Sequence, residues 1–197
     1  MSAELYDTAL LNKLNSWMAN VPLHIYGVSD TKRLFETIAY ESKDKAIQLP
    51  IVCLRRKQGY TILKPNRVPL QTQGVRLKSD KGTTRVLRAI PINIEYQLDV
   101  YCRLYSEADS YMRELIFNLI NYPRVSVTIP YKDENYEHYS NVRVAQEVED
   151  NSDVPERLIS GQFTRLSLNL TIDDAYLWDV ADKHTLRIEN AEVEVND

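Results

Sequence analysis

Apolar residues recur at three-and-four spacing over residues 4–19, where Leu10, Leu11, Leu14, Trp17 and Met18 form one stripe, so an amphipathic helix ended by Pro22 is predicted there. A short extended piece over residues 24–28 leads to Ser29 or Asp30 as the N-cap of a second helix with Leu34, Phe35 and Ile38 inside. Residues 43–45 read as a polar turn. Ile51, Val52, Cys53 and Leu54 make a run too short and too apolar for a surface helix, and predict a buried strand over residues 50–56. Residues 92–104 alternate: Ile92, Ile94, Tyr96, Leu98, Val100, Cys102 and Leu104 point one way, Asn93, Glu95, Gln97, Asp99 and Arg103 the other. That is the pattern of a strand with one buried face.

Ser106 with Asp109 three residues on resembles a capping box, and Ala108, Met112, Leu115, Ile116 and Leu119 form the inner stripe of a helix that stops at Pro123. Val125, Val127, Ile129 and Tyr131 alternate as a strand, and the polar residues 132–140 read as a loop. Val142, Val144 and Val148 predict a further strand, ended by the turn-forming residues 149–153. Phe163 opens a long strand with Leu166, Leu168, Leu170 and Ile172 on one face and Arg165, Ser167, Asn169 and Thr171 on the other. The tail alternates weakly through Leu186, Ile188, Val193 and Val195, as an edge strand or an arm added to a neighbour's sheet would.

Residues 57–85 break this periodicity, with Gly59, Pro65, Pro69, Gly74 and Gly82 as punctuation. Long structureless excursions are uncommon in compact domains, so this one is expected to be a projecting arm or hairpin ordered by a partner. The expected fold is α+β: a mainly antiparallel sheet flanked by helices on one face, with a long basic projecting loop or hairpin. Residues 1–197 are expected to form a single domain, with 57–85 as a basic arm and 184–197 as a C-terminal strand or arm.

Charge sharpens this picture. The net charge is -4, but between residues 55 and 88 the basic residues Arg55, Arg56, Lys57, Lys64, Arg67, Arg76, Lys78, Lys81, Arg85 and Arg88 face the single acid Asp80. Beyond Lys132 the balance reverses, with Glu147, Glu149, Asp150, Asp153, Glu156, Asp173, Asp174, Asp179 and Asp182. Oppositely charged segments either pair within one copy or orient head-to-tail contacts between copies, the arrangement that closes a ring. The 13 tyrosines suit either strands or surfaces that are wet before assembly and dry after it.

The search for chemistry returns little. His24, His138 and His184 lie in different segments without metal-site spacing, and the five glycines are too scattered for a phosphate-cradling loop or a dinucleotide fingerprint. The acids around Asp150 and Asp153, with His138, and the pair Asp173 and Asp174 are the remaining places for acid–base or metal chemistry, but Asp150-Asn151-Ser152-Asp153 lacks the glycine and distal glutamate of a calcium loop. Cys53 and Cys102 sit in apolar strand patterns and are expected to be buried thiols of a reducing compartment. No run of apolar residues suggests a membrane span or secretory leader. The basic segment 55–88 is the candidate for phosphate contact; Tyr60 is the aromatic residue within it, which does not suggest a base-stacking platform.

One stretch resembles a known family. Residues 94–101, IEYQLDVY, followed by Ser106-Glu107-Ala108-Asp109 opening a helix that ends in Asn121-Tyr122-Pro123, resemble the strand and helix core of bacteriophage tail terminator or tail-completion proteins. The likeness runs on through residues 150–153 and 163–165 into residues 168–178, LNLTIDDAYLW, and so covers about residues 90–180. It lies in the order of elements and includes no catalytic signature. It implies a non-enzymatic virion protein, made in the host bacterial cytoplasm, that forms a homo-oligomeric, hexameric ring at the top of the tail, caps the tube and joins it to the neck or head. It implies no cofactor, metal or membrane. Its partners would be copies of itself, the tail tube and neck or connector proteins, with DNA passing through the lumen. Another neck, connector or baseplate ring, or a DNA-contacting module using residues 55–88, are the alternatives. Candidate interface residues on this reading are Arg55, Arg56, Arg67, Arg76, Lys78, Lys81, Arg85, Asp150, Asp153, Asp173, Asp174, Tyr176 and Trp178.

Overall fold

The computed structural model describes residues 2–26, 49–57, 59–63, 73–152 and 164–179. The helix expected after Ser29 or Asp30, the turn at residues 43–45, Arg67, Asp153, Phe163 and the C-terminal strand or arm at 184–197 lie outside them. Helix α1 (Ser2–Trp17) buries Ala3, Tyr6, Leu10 and Leu14, one side chain per turn, with Met18 closing the stripe. Strand β1 (Leu23–Tyr26) runs parallel to β2 (Ile51–Arg56), and β2 runs antiparallel to β5 (Thr84–Cys102). On the same edge of β5, nearer its start, lie β3 (Thr61–Ile62) and β4 (Gln73–Lys78). Helix α2 (Tyr105–Asn121) follows β5, then β6 (Arg124–Tyr131), β7 (Glu134–Asp150) and β8 (Thr164–Trp178).

The sheet of the described residues is ordered β1-β2-β5-β8-β7-β6, so β8, the last strand among them, lies between the long strands β5 and β7. All pairings except β1 with β2 are antiparallel. Both helices join one face of this sheet in a single apolar cluster: Tyr6, Leu10 and Leu14 from α1, Met112, Leu115 and Leu119 from α2, and Ile94, Leu98, Leu168 and Leu170 beneath them. A fully buried side chain of this size contributes on the order of 1.5–3 kcal/mol, so this cluster, not helix propensity, holds the helices. The α+β architecture, mainly antiparallel with helices on one face, is as expected.

Four details differ from expectation. Strand β5 starts at Thr84, not at residue 92, because its early inward positions are Leu87 and Ala89, and the inward parity changes around Pro91 so that Ala89 and Ile92 are both buried. The pairing with β8 shifts register just beyond, between Ile92 and Ile94, as at a bulge. Strand β7 starts at Glu134 inside the expected loop, because its inward side chains there are Tyr136, His138 and Ser140 rather than aliphatic ones. Helix α2 starts at Tyr105 with Leu104 as N-cap and no side-chain cap hydrogen bond, so the capping box around Ser106 is not formed. Finally, Asp99, Arg165 and Ser167, expected on a solvent face, are buried.

Of the basic excursion, residues 73–88 form a hairpin in which β4 pairs with the start of β5, from Gln73 opposite Ala89 to Lys78 opposite Thr84. Gly82, at φ 84°, makes its turn. The turn does not stand free: the Asp80 amide donates to Asn135 O at 3.0 Å, and Lys81 Nζ donates to Asp133 O at 3.0 Å. These bonds clasp the β4–β5 turn to the β6–β7 turn, and the sheet curls accordingly, with an isolated bridge from Ser79 to Tyr136.

Candidate functional site

Three regions hold the residues singled out by sequence. The first is a buried ionic cluster on the face of the sheet away from the helices. Asp99 on β5, 1% exposed, accepts from Ser167 Oγ at 2.6 Å, Gln97 Nε2 at 2.9 Å and Arg165 Nη2 at 3.2 Å, and Arg55 Nε approaches it to 3.4 Å. The Arg165 guanidinium lies over the Tyr101 ring, 5.5 Å from its centre. Strand registry makes this cluster: Arg55 on β2, Asp99 on β5 and Arg165 and Ser167 on β8 fall on neighbouring rungs. Two cations thus share one carboxylate that is almost fully buried, which offsets the cost of taking its charge out of water. Arg56 is likewise engaged within the chain, 3.4 Å from Asp7, which accepts from the Tyr96 hydroxyl at 2.8 Å. Burial raises the Asp7 carboxyl above its ordinary pKa range.

The second region surrounds His138. Its ring stands edge-on to Tyr176 and Trp178, each 5.2 Å between centres, and its Nε2 donates to Asp174 O at 3.1 Å. Tyr6 of α1 reaches the same place, its hydroxyl accepting from the Tyr176 amide at 2.8 Å and from Trp178 Nε1 at 3.3 Å. Burial holds the imidazole below its usual pKa and pushes the Tyr6 phenol up to about 12. Asp174 accepts from the Asn141 amide at 2.9 Å, and Asp173 pairs with Arg143 at 2.7 Å. Tyr176, Trp178, Asp173 and Asp174 therefore tie β8 to β7 and α1. His138 and Asp150, considered together for chemistry, lie far apart on β7: His138 bonds Asp174 of β8, whereas Asp150 lies opposite Leu166, about 26 Å away along that extended strand.

The third region is surface. Helix α2 and β7 border an open groove in two connected stretches of about 260 and 460 Å³, floored by Met112, Ile116, Leu119, Val142 and Val148. Ile120 (61% exposed) and Tyr105 line it, and Phe117 (62%) is exposed on the outer face of α2, with Leu104 and Tyr122 exposed at the two ends of the helix. Beyond Asn141 the outer edge of β7 pairs with no strand among the described residues. That edge carries the exposed acids Glu147, Glu149 and Asp150. Asp150 Oδ1 accepts from the amide of Ser152 at 3.0 Å, forming a local turn.

On the opposite edge of the β5–β8 pair, the β4–β5 hairpin turns Arg76, Lys78, Thr84, Val86 and Arg88 outward, since Arg76 lies opposite Val86 and Lys78 opposite Thr84. Val86 is 61% exposed. Arg85 is on the other side of the hairpin, exposed and close enough to Glu134 to help hold that carboxyl below its usual pKa, behind the larger contribution of the Tyr136 hydroxyl bond. Lys81 is spent in the turn clasp described above.

Cys53 and Cys102 are buried free thiols on opposite faces of the sheet, and burial pushes the Cys102 thiol up to about 12. Among the described residues no three His, Cys, Asp or Glu side chains converge as a metal site would require, and no helix is long and apolar enough to cross a membrane. No protein-family model and no curated protein sequence matches the chain. Sequence reading found the basic and acidic segments but missed the groove. Its signal was present: Phe117 and Ile120 lie off the inner stripe of α2, where a solvated helix would carry polar residues.

Proposed function

We propose that the protein is a non-enzymatic structural subunit that assembles with copies of itself into a ring at the top of a bacteriophage tail, capping the tube and joining it to the neck. The observation that carries this reading is the outer face of α2, where Phe117 and Ile120 are exposed and Ile120 lines an apolar groove. Exposed apolar side chains next to an apolar groove support a contact with another protein. The groove and the basic hairpin are unlike surfaces: the groove is lined by apolar side chains with Asp109, Arg113 and Asp150, whereas the hairpin stands on the opposite sheet edge and carries Arg76, Lys78 and Arg88. Two unlike patches favour head-to-tail association, which closes when the rotation per subunit divides the circle. The resemblance over about residues 90–180 supports the tail location, and the exposed apolar residues of α2 support an oligomer.

The test is the mass of the purified full chain in solution by light scattering, with negative-stain images of the same sample. Rings that join tail tubes are expected. A monomer at every concentration that also leaves tubes uncapped would overturn the reading. A second reading rests on Arg76, Lys78 and Arg88, which share one solvent face without an acid among them: this face contacts nucleic-acid phosphates. It requires DNA retention that falls steeply with added salt, and no retention at low salt ends it.

A further inference from the structure

We infer that the outward face of the β4–β5 hairpin grips the backbone of a nucleic-acid duplex. This rests on the phosphate reading above and names the polymer. Ala89 is the last residue of β5 paired with β8, so towards its turn the hairpin is a two-stranded ribbon. Its outward rungs are Gly74 with Arg88, Arg76 with Val86 and Lys78 with Thr84, and each rung carries one cation. Successive outward rungs are about 7 Å apart, so the cations form a row about 14 Å long. One strand of a duplex places a phosphate every ~3.4 Å of helix axis, so the row runs beside about four of them.

These cations are available. Arg55 and Arg165 are held by Asp99, Arg56 by Asp7, Arg143 by Asp173 and Lys81 by Asp133 O, whereas Arg76, Lys78 and Arg88 meet no acid among the described residues. Of the acids near the ribbon, Asp80 accepts from the Lys81 amide at 2.9 Å inside the turn, and Asp179 follows β8 with its amide donating to Arg88 O at 2.9 Å. The inward side chains Leu77 and Leu87 are buried, and the clasp of Asp80 and Lys81 to the β6–β7 turn holds the tip. The cations are therefore presented by a fixed backbone, which lowers the ordering cost of binding. The make-up of the face selects the polymer. Single strands are held largely by bases stacked on aromatic rings, and the outward rungs carry none; three cations and the Thr84 hydroxyl are groups that bind phosphate oxygens. A duplex presents one charge per ~1.7 Å of axis, twice the density of either strand, so the same cations release more counterions on it. A membrane surface would call for a broad apolar face, and Val86 is the one aliphatic side chain on the rungs.

Fluorescence anisotropy of the full chain with a labelled mixed-sequence DNA duplex, with one of its strands alone and with polyglutamate tests this. Duplex affinity should fall about fortyfold between about 50 and 200 mM salt, the log–log slope of about −2.7 that three phosphate contacts give. Arg76→Gln, Lys78→Gln and Arg88→Gln should each reduce that slope by about 0.9. Asp179→Asn, which removes the acid beside Arg88, should raise duplex affinity about twofold. All four positions are exposed, and unchanged melting curves keep folding out of the result. Tighter binding of the single strand overturns the duplex assignment while phosphate contact stands. No binding of either at low salt overturns both, and so does a slope that none of the three glutamine variants changes. Polyglutamate bound as tightly as the duplex, or self-assembly lost when the three glutamine substitutions are combined, assigns the face to another protein surface and overturns the inference.

Discussion

Helices α1 and α2 are nearly the same length and bury equivalent stripes in one core, yet their outer faces differ. Helix α1 presents Glu4, Thr8, Asn12, Asn15 and Ser16 to water, whereas α2 presents Phe117 and Ile120 among its polar residues. The inner face of each is set by the need to pack on the sheet. Only the outer face is free to vary, so the apolar residues of α2 are not explained by folding. What distinguishes the helices is the chemistry of the outer face.

If the inner faces are equivalent, Leu14→Ala in α1 and Leu115→Ala in α2 should each lower unfolding stability by about 2–5 kcal/mol in a denaturant titration, since both side chains are fully buried. A near-neutral result at either position would break the equivalence. What specifically anchors α1 is sharpened by Tyr6→Phe, which removes the acceptor for the Tyr176 amide and should cost about 1–3 kcal/mol without changing helix content.

The outer faces should separate more cleanly. Phe117→Ser with Ile120→Ser should leave monomer stability within about 0.5 kcal/mol while weakening self-association at least about tenfold, read by sedimentation at several concentrations. Asn12→Ser with Asn15→Ser should change neither. Equal behaviour of the two pairs would remove α2 from the assembly.

The smallest effect concerns pH. Burial lowers the pKa of His138 in the folded chain, so the unfolded chain takes up the proton first as pH falls below about 6.5. Stability from this source is complete above that pH and is lost as pH falls through the folded value. His138→Gln should flatten that part of the melting-temperature profile between pH 7.5 and 5.5; an identical slope in both proteins would place the loss elsewhere.

Where one face of an element is aliphatic, the sequence was readable: the stripes of α1 and α2 and the alternation of β6 and β8 predicted their elements to within a few residues. It failed where inward positions are polar or aromatic. Tyr136, His138 and Ser140 disguised the first half of β7 as a loop, and the change of parity near Pro91 hid the start of β5. Asp99 and Arg165 looked like surface residues because a strand of alternating polar positions reads as half exposed, and their pairing across β5 and β8 depends on register that no local pattern carries. The basic segment was visible as composition. Its division into an outward face at Arg76, Lys78 and Arg88 and a clasped turn at Lys81 appears only once β4 is set against β5.

The position of β8 has a consequence for synthesis. A chain emerging from the ribosome has made β5 and β7 before the strand that separates them exists, so both expose long unsatisfied edges until residue 178 is out. Nascent or prematurely terminated chains lacking β8 are therefore the species most prone to aggregate, and a chaperone that shields strand edges would do most for yield in the interval before that final insertion.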